Sequence, residues 1–221
     1  HVLAGSPYLR GHLDFAGFKG KRVLDLGCGS GIFSCLFAKG GAQAVAVDLT
    51  ETATSLARQT ADAHGVDLMI ARMDAEKLAF QNAAFDYVYS WGVLHHTNRM
   101  EDALAELGRV LKPGGTGLVM VYHRHSLVYY LHGLFWLLLR GKIFQGHGLN
   151  SVQDFYTDGY YHRYLSRKEF AAAFKSAGLN PVRLLVTQYE KKLLPWTPAW
   201  FDRYLKSRFG MCLVAEVENP A

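Results

Sequence analysis

One stretch, Arg22-Val23-Leu24-Asp25-Leu26-Gly27-Cys28-Gly29-Ser30-Gly31, constrains the fold of this chain more than any other. Arg22–Leu26 is a short apolar run that reads as a buried strand, and it ends in three glycines spaced two apart. Glycines placed after a strand and before a helix let the backbone approach a ligand, with helix N–H groups facing it. Such a triplet is also a tight strand-to-helix turn, so the other loops must decide between the two. A dinucleotide fingerprint would require Gly-x-Gly-x-x-Gly. Gly27 and Gly29 fit it, but Ile32 stands at the third glycine position. The spacing here is Asp-x-Gly-x-Gly-x-Gly, with Asp25 two residues before the first glycine.

Downstream, strand and helix signals alternate. Ile32, Cys35, Leu36 and Phe37 recur at helical spacing until Gly40-Gly41. Ala44–Asp48 reads as a second strand, and Thr50 caps a helix running to about His64. Asp67–Ala71 and Phe85–Ser90 read as strands three and four. Glu101–Leu111 is an amphipathic helix ended by Lys112-Pro113-Gly114-Gly115, and Thr116–His123 is a fifth strand. This alternation implies an α/β domain with a parallel sheet covered on both faces. Right-handed crossovers bring the strand C-termini to one edge, where ligands bind. Loops 27–31, 48–50, 74–75, 90–97 and 122–126 all follow strands, so one site is expected to draw on all of them.

Later, the apolar run Leu127–Leu139 spans thirteen residues. That is short of the roughly 20 needed to cross a bilayer, so it reads as a buried or interfacial helix. An aromatic segment, Gln153–Tyr164, follows, and Ser166 caps a helix over Arg167–Ala177. Val182–Gln188 and Met211–Val217 read as closing strands, with Pro195, Trp196, Pro198 and Trp200 in a long connection between them. The whole chain, 1–221, is expected to be a single domain, with an insertion at about 124–165 capping the substrate site.

Composition narrows the class. Half the residues are apolar or aromatic and 19% are charged, a globular balance. The net charge of +5 is mild, although residues 163–208 hold ten Lys or Arg against three acids. That excess is either a solvated surface or an anion-attracting face. Cys28, Cys35 and Cys212 form no CxxC, so reduced thiols and a cytoplasmic location are expected.

Asp48 ends the second strand 21 residues after Gly27. A carboxylate there can accept both hydroxyls of a ribose, as in dinucleotide folds, or it can serve a helix N-terminus. With these residues in view, the chain resembles the class I S-adenosylmethionine-dependent methyltransferases. Val23–Gly31 (VLDLGCGSG), Val45–Thr50 (VAVDLT) and Met73–Phe80 (MDAEKLAF) resemble that superfamily's first three motifs. Phe85–Thr97 (FDYVYSWGVLHHT) with Leu107–Gly115 (LGRVLKPGG) resembles the methyltransferase type 11 branch, which includes quinone-biosynthesis methylases. The resemblance covers about residues 20–123 and implies a Rossmann-like doubly wound sheet, mostly parallel, with an antiparallel last strand.

It further implies S-adenosylmethionine as cofactor and S-adenosylhomocysteine as product. By resemblance, Gly27, Cys28, Gly29 and Gly31 would hold the methionine end, with Asp25 ordering its amino group. Asp48, with Leu49 beside it, would meet the ribose. Asp74 and the Ala75 N–H would meet the adenine, and Ser90 and Trp91 would flank the sulfur. Asp74 at a strand end is equally a turn former.

Methyl transfer to oxygen or carbon usually needs a base, and histidine suits proton transfer near neutral pH. His123 and His125 stand at the expected pocket rim and are the candidate catalytic residues, although buried structural histidines are common. An H-x-H pair also binds metals, but no further ligands stand at useful spacing, so no metal is expected. His95, Tyr156, Tyr160, Tyr161 and His162 are the candidate substrate wall; the aromatic cluster among them is otherwise a packed surface loop. The expected acceptor is a small molecule with an apolar or aromatic body. The alternatives are an RNA-type nucleic-acid methyltransferase, or an S-adenosylmethionine-binding protein with non-methyl chemistry. Against nucleic acid, Ser90-Trp91-Gly92-Val93 stands where amino-methylating enzymes of that kind carry Asn/Asp-Pro-Pro-aromatic. No membrane span is expected, and the insertion is also a candidate oligomer contact.

Overall fold

The computed structural model describes residues 9, 13–155, 162–187 and 196–220. The sheet is built from β1 (Arg22–Leu26), β2 (Gln43–Asp48), β3 (Met69–Arg72), β4 (Phe85–Trp91), β5 (Leu111–His123), β6 (Tyr164–Leu165), β7 (Asn180–Thr187) and β8 (Cys212–Glu218). Its order is β3-β2-β1-β4-β5-β8-β7. Neighbours from β3 to β5 are parallel, and β8 runs antiparallel to both β5 and β7. The antiparallel strand is thus the last of these in sequence, but it lies inside the sheet.

The helices are α1 (Ile32–Lys39), α2 (Glu51–His64), α3 (Met100–Val110), α4 (Leu127–Leu134), α5 (Arg167–Ser176) and α6 (Ala199–Phe209). Their ends follow local chemistry. Thr50 accepts from the Ala53 N–H to start α2. Ser166 and Glu169 form a reciprocal capping box on α5. Two apolar layers cover the sheet. Leu104, Leu107, Phe170 and Phe174 from α3 and α5 pack with Leu24, Val88, Val119 and Val121 on one face. Phe37 from α1 packs with Val23, Tyr87, Tyr89 and Leu118 on the other.

The sequence reading needs two corrections. The connection before β8 is not all coil, because Pro198, extended at φ −59°, opens the eleven-residue helix α6. Asp202, paired with Lys206, is the residue that α6 buries, while Trp200 and Tyr204 stay exposed. Strand β6 was also unexpected. It pairs Tyr122↔Tyr164 and His123↔Leu165, beyond the last β4–β5 pair at Trp91↔Met120. The chain after α4 therefore returns to the end of β5, beside the loop that leaves β4. Tyr156, Tyr160 and Tyr161 lie outside the described residues.

Candidate active site

At the strand C-termini, β1 runs into the glycine loop, which folds against β2. The N–H groups of Gly27 and Cys28 both donate to the Val47 carbonyl, at 2.8 and 2.9 Å. Gly27 sits at φ +79°, and a side chain there would run into Val93 from the β4 loop. Gly31 caps α1 with its backbone at φ +73°, and a Cβ there would press on Ala57 of α2 at 2.8 Å. Gly27 thus keeps two site loops close together, while Gly31 keeps two helices close. Between them, the Gly29 N–H donates to Asp48 Oδ2 at 3.1 Å.

Asp48 is held from both sides, since its Oδ1 accepts from the Thr50 N–H and hydroxyl at 3.0 Å each. Its carboxylate lies on the wall of a cavity of about 500 Å³. Leu26, Gly27, Gly29, Val47, Leu49, Asp74, Ala75, Trp91 and His96 are among the other lining residues. Leu49 is 58% exposed, an apolar face available to a flat ring. Asp74 makes the turn expected of it, accepting from the Glu76 N–H at 2.9 Å, and it lines the cavity as well. Glu76 closes the rim by accepting the Arg99 N–H at 2.9 Å. That bond, with the Arg99 guanidinium, holds the Glu76 carboxyl below the usual range.

Other candidates lie away from this wall. Asp25 is buried and accepts the Ser34 hydroxyl at 2.5 Å. Burial pushes its carboxyl up to about 7, and the Asp48 charge adds to that. Cys28 and Gly31 are not among the residues that line the cavity. Burial, then the nearby Asp25 and Asp48, push the Cys28 thiol up to about 12, so it stays protonated at neutral pH. Ser90 is fully buried in β4, its hydroxyl without a partner among the described residues.

The histidines are rearranged relative to expectation. His123 is buried, with a ring nitrogen 3.1 Å from the Gly210 carbonyl, and burial holds its pKa below the usual histidine value. His125 is exposed and hydrogen-bonds the Tyr130 hydroxyl at 2.7 Å. Neither lines the cavity. Successive strand residues point to opposite faces, so at the end of β5 Tyr122 meets the site loop while His123 turns toward Gly210. His95 is buried too. Its ring packs against Tyr122 and His96, with centroids 4.1 Å from each. Neither ring nitrogen of His95 has a partner among the described residues, and burial holds its pKa well below the usual value.

The histidine on the cavity wall is His96, with Thr97 and Asn98 following it. His162 stands 5.8 Å from the His96 ring and lines a second, polar cavity of about 400 Å³ with Arg124, Arg163 and Tyr164. The Arg163 N–H donates to the His95 carbonyl at 2.8 Å, which fastens the returning chain to the β4 loop. Met73, Glu76, Val93, Thr97 and Asn98 were missed in the sequence. Their signal was positional, because all of them lie in loops that follow a strand. Among the described residues no cluster of three or more His, Cys, Asp or Glu is placed to hold a metal, and no helix is long and apolar enough to cross a membrane.

The donor set suits an adenosyl group. A fixed carboxylate faces the cavity after β2, a second acid with a backbone N–H stands after β3 on one side of it, and glycine backbone stands after β1 on the other. Comparison with known proteins agrees. The model of a methyltransferase-domain family, type 11, matches residues 24–119. A ubiquinone biosynthesis O-methyltransferase from Aromatoleum aromaticum is 30% identical over 177 residues, which cover 79% of this chain and 70% of that protein. One from Nitrosococcus oceani is 32% identical over 123 residues, covering 55% and 51%. The chain spans about half the length of several such relatives, 51% of the Nitrosococcus protein and 45% of one from Roseobacter denitrificans. In fold, an S-adenosylmethionine-dependent methyltransferase from Mesorhizobium loti superposes with a TM-score of 0.66 at 21% identity, covering 96% of each chain. The [4+2]-cyclase SpnF superposes at 0.65 with 18% identity, covering 94% of this chain and 78% of that one. Such a fold therefore hosts more than one chemistry. The glycine loop, the acid after β2 and these matches together place the chain among the class I S-adenosylmethionine-dependent methyltransferases, in the type 11 branch, with S-adenosylmethionine as its cofactor.

Proposed function

We propose that this protein methylates a hydroxyl oxygen on a small acceptor with an apolar or aromatic body. The observation that carries the reading is that one cavity is lined by Asp48 and Leu49 and also by Trp91 and His96. When bound, the cofactor supplies a methyl group already activated on a sulfonium sulfur. Asp48, its carboxylate fixed by Gly29 and Thr50, accepts the ribose hydroxyls. Asp74 and the Ala75 N–H address the adenine edge, and Leu49 covers the ring. Gly27 and Gly29 leave room for the methionine portion, with Trp91 beside the reacting end. Asp25 and Cys28 act indirectly, by holding the loop.

With the methyl group supplied as an electrophile by the bound cofactor, His96 would take the hydroxyl proton of the acceptor. Neutral imidazole suits this step near pH 7. Segment 124–165 caps the acceptor side. Supporting this, the segment returns through β6 and Arg163 to the β4 loop, and it brings His162 beside His96. The names of the relatives support a hydroxyl acceptor.

A panel of hydroxyarenes with labelled cofactor tests the reading. Methylated product is expected, and His96→Gln should lower its rate by about 10²–10⁴-fold while S-adenosylhomocysteine affinity is kept. Full activity in His96→Gln would remove the proton-accepting role. Cofactor binding without any methylated product would point to different chemistry.

A further inference from the structure

We propose that the outer face of α4 and the turn after it docks onto an anionic lipid surface. Helix α4 continues through a wider π-type turn, Phe135–Leu139. Together they bury Tyr129, Gly133 and Leu137, four residues apart. The face left in solvent is Leu131, Leu134, Phe135, Leu138 and Leu139, at helical spacing i, i+3, i+4, i+7 and i+8. A surface helix ordinarily turns its polar side outward, and here that pattern is inverted. Leu139 is 78% exposed, and Phe144, in the following turn, is 91% exposed. A contiguous apolar face of this kind marks a contact surface.

Charge identifies the occupant. No Asp or Glu occurs between Glu106 and Asp154. Arg140, lying over the Trp136 ring at 5.2 Å, and Lys142 stand among the exposed apolar residues. Apolar side chains interleaved with cations match the boundary between acyl chains and headgroups of an anionic leaflet. A second copy of the chain would instead bring like charges together, with no acid in the segment to pair them. Helix α6 agrees, exposing Trp200 and Tyr204 one turn apart. It leads into β8, whose Cys212 pairs with Tyr122, so it hangs from the same sheet edge as α4. Trp and Tyr favour the headgroup level. Because α4 leaves β5 at the strand ends that carry the cavity, docking would set the site against the leaflet. The inference does not depend on which acceptor is methylated.

Flotation of the full chain through a density gradient tests it, with vesicles of phosphatidylcholine alone or mixed with phosphatidylglycerol. The protein should rise with the mixed vesicles and less with the neutral ones. Arg140→Gln and Lys142→Gln should each lower partitioning onto the mixed vesicles by about fivefold. The Leu138→Glu, Leu139→Glu double variant should stay at the bottom while keeping its S-adenosylhomocysteine affinity. If that variant loses its fold, Phe144→Glu serves in its place, since its side chain touches little. Absence of flotation in the parent protein overturns the proposal, as does undiminished flotation of the glutamate variants. A parent dimer that those variants dissolve, with no vesicle binding, assigns the face to a second copy instead.

Discussion

At the scale of single residues, the site separates side chains that touch the cavity from those that shape it. Asp48 does both, because its two oxygens are occupied by Gly29 and Thr50 and still face the cavity. Asp48→Ala is expected to weaken S-adenosylhomocysteine binding by about 1–3 kcal/mol, the scale of hydrogen bonds to a charged group. Calorimetric titration checks this, and an unchanged affinity would reduce Asp48 to a brace for the Thr50 cap. His95 poses the opposite case. A fully buried imidazole with no partner among the described residues is costly, and an apolar ring of similar shape removes that cost. His95→Phe should therefore match or exceed the parent in thermal stability and keep cofactor affinity. A loss of more than about 2 kcal/mol, the range for breaking a buried polar contact, would show that the imidazole is bonded in solution.

Among elements, Arg109 of α3 ties that helix to the loop before β4, beside Glu106, which accepts the Leu78 N–H. Arg109 donates to the carbonyls of Leu78 and Phe80, to Asn82 Oδ1 and to both oxygens of Glu106, at 2.6–2.9 Å. The planar guanidinium fork alone reaches all of these, so Arg109→Lys should cost about 1–3 kcal/mol of stability. Chemical denaturation would measure it, and a loss near zero would mean the loop is held by packing. This explains why an arginine stands in the LGRVLKPGG stretch, a point that its spacing did not reveal. The legible elements were those with an internal pattern. Strands β1, β2, β4 and β5 are buried on both faces and read as apolar runs. The two-residue β6 has no pattern to read, and the residue that α6 buries is the charged Asp202 rather than an apolar one. In the site, the loops were legible because they follow strands. Which residue of each loop faces inward was not. The order Tyr122-His123 shows where β5 ends, but only the pleat decides that the tyrosine meets the site.

For the molecule as a whole, buried titrating groups set opposing responses to pH. Asp25 is pushed from near 3.8 up to about 7 by burial. Its contribution is therefore complete below about pH 4 and is lost as pH rises through about 7. His95 and His123 are held below 6.5. What they contribute is present above that value and is lost as pH falls through their folded values. Asp25→Asn keeps an oxygen for the Ser34 hydroxyl and removes the first response. Its melting temperature should gain on the parent progressively between pH 4 and pH 8, and parallel melting curves over that range would overturn the assignment.

The place of β8 in the sheet bears on how the chain is made. Strands β5 and β7 are both complete before any residue of β8 leaves the ribosome, yet β8 pairs with both of them along its own whole length. Until then the nascent chain carries two unpaired strand edges, one of them the apolar run Leu118–Val121. Synthesis paused before Cys212 should leave a protease-sensitive, chaperone-bound species, because the seven residues that join β7 to the rest of the sheet are translated after both of the strands they pair with.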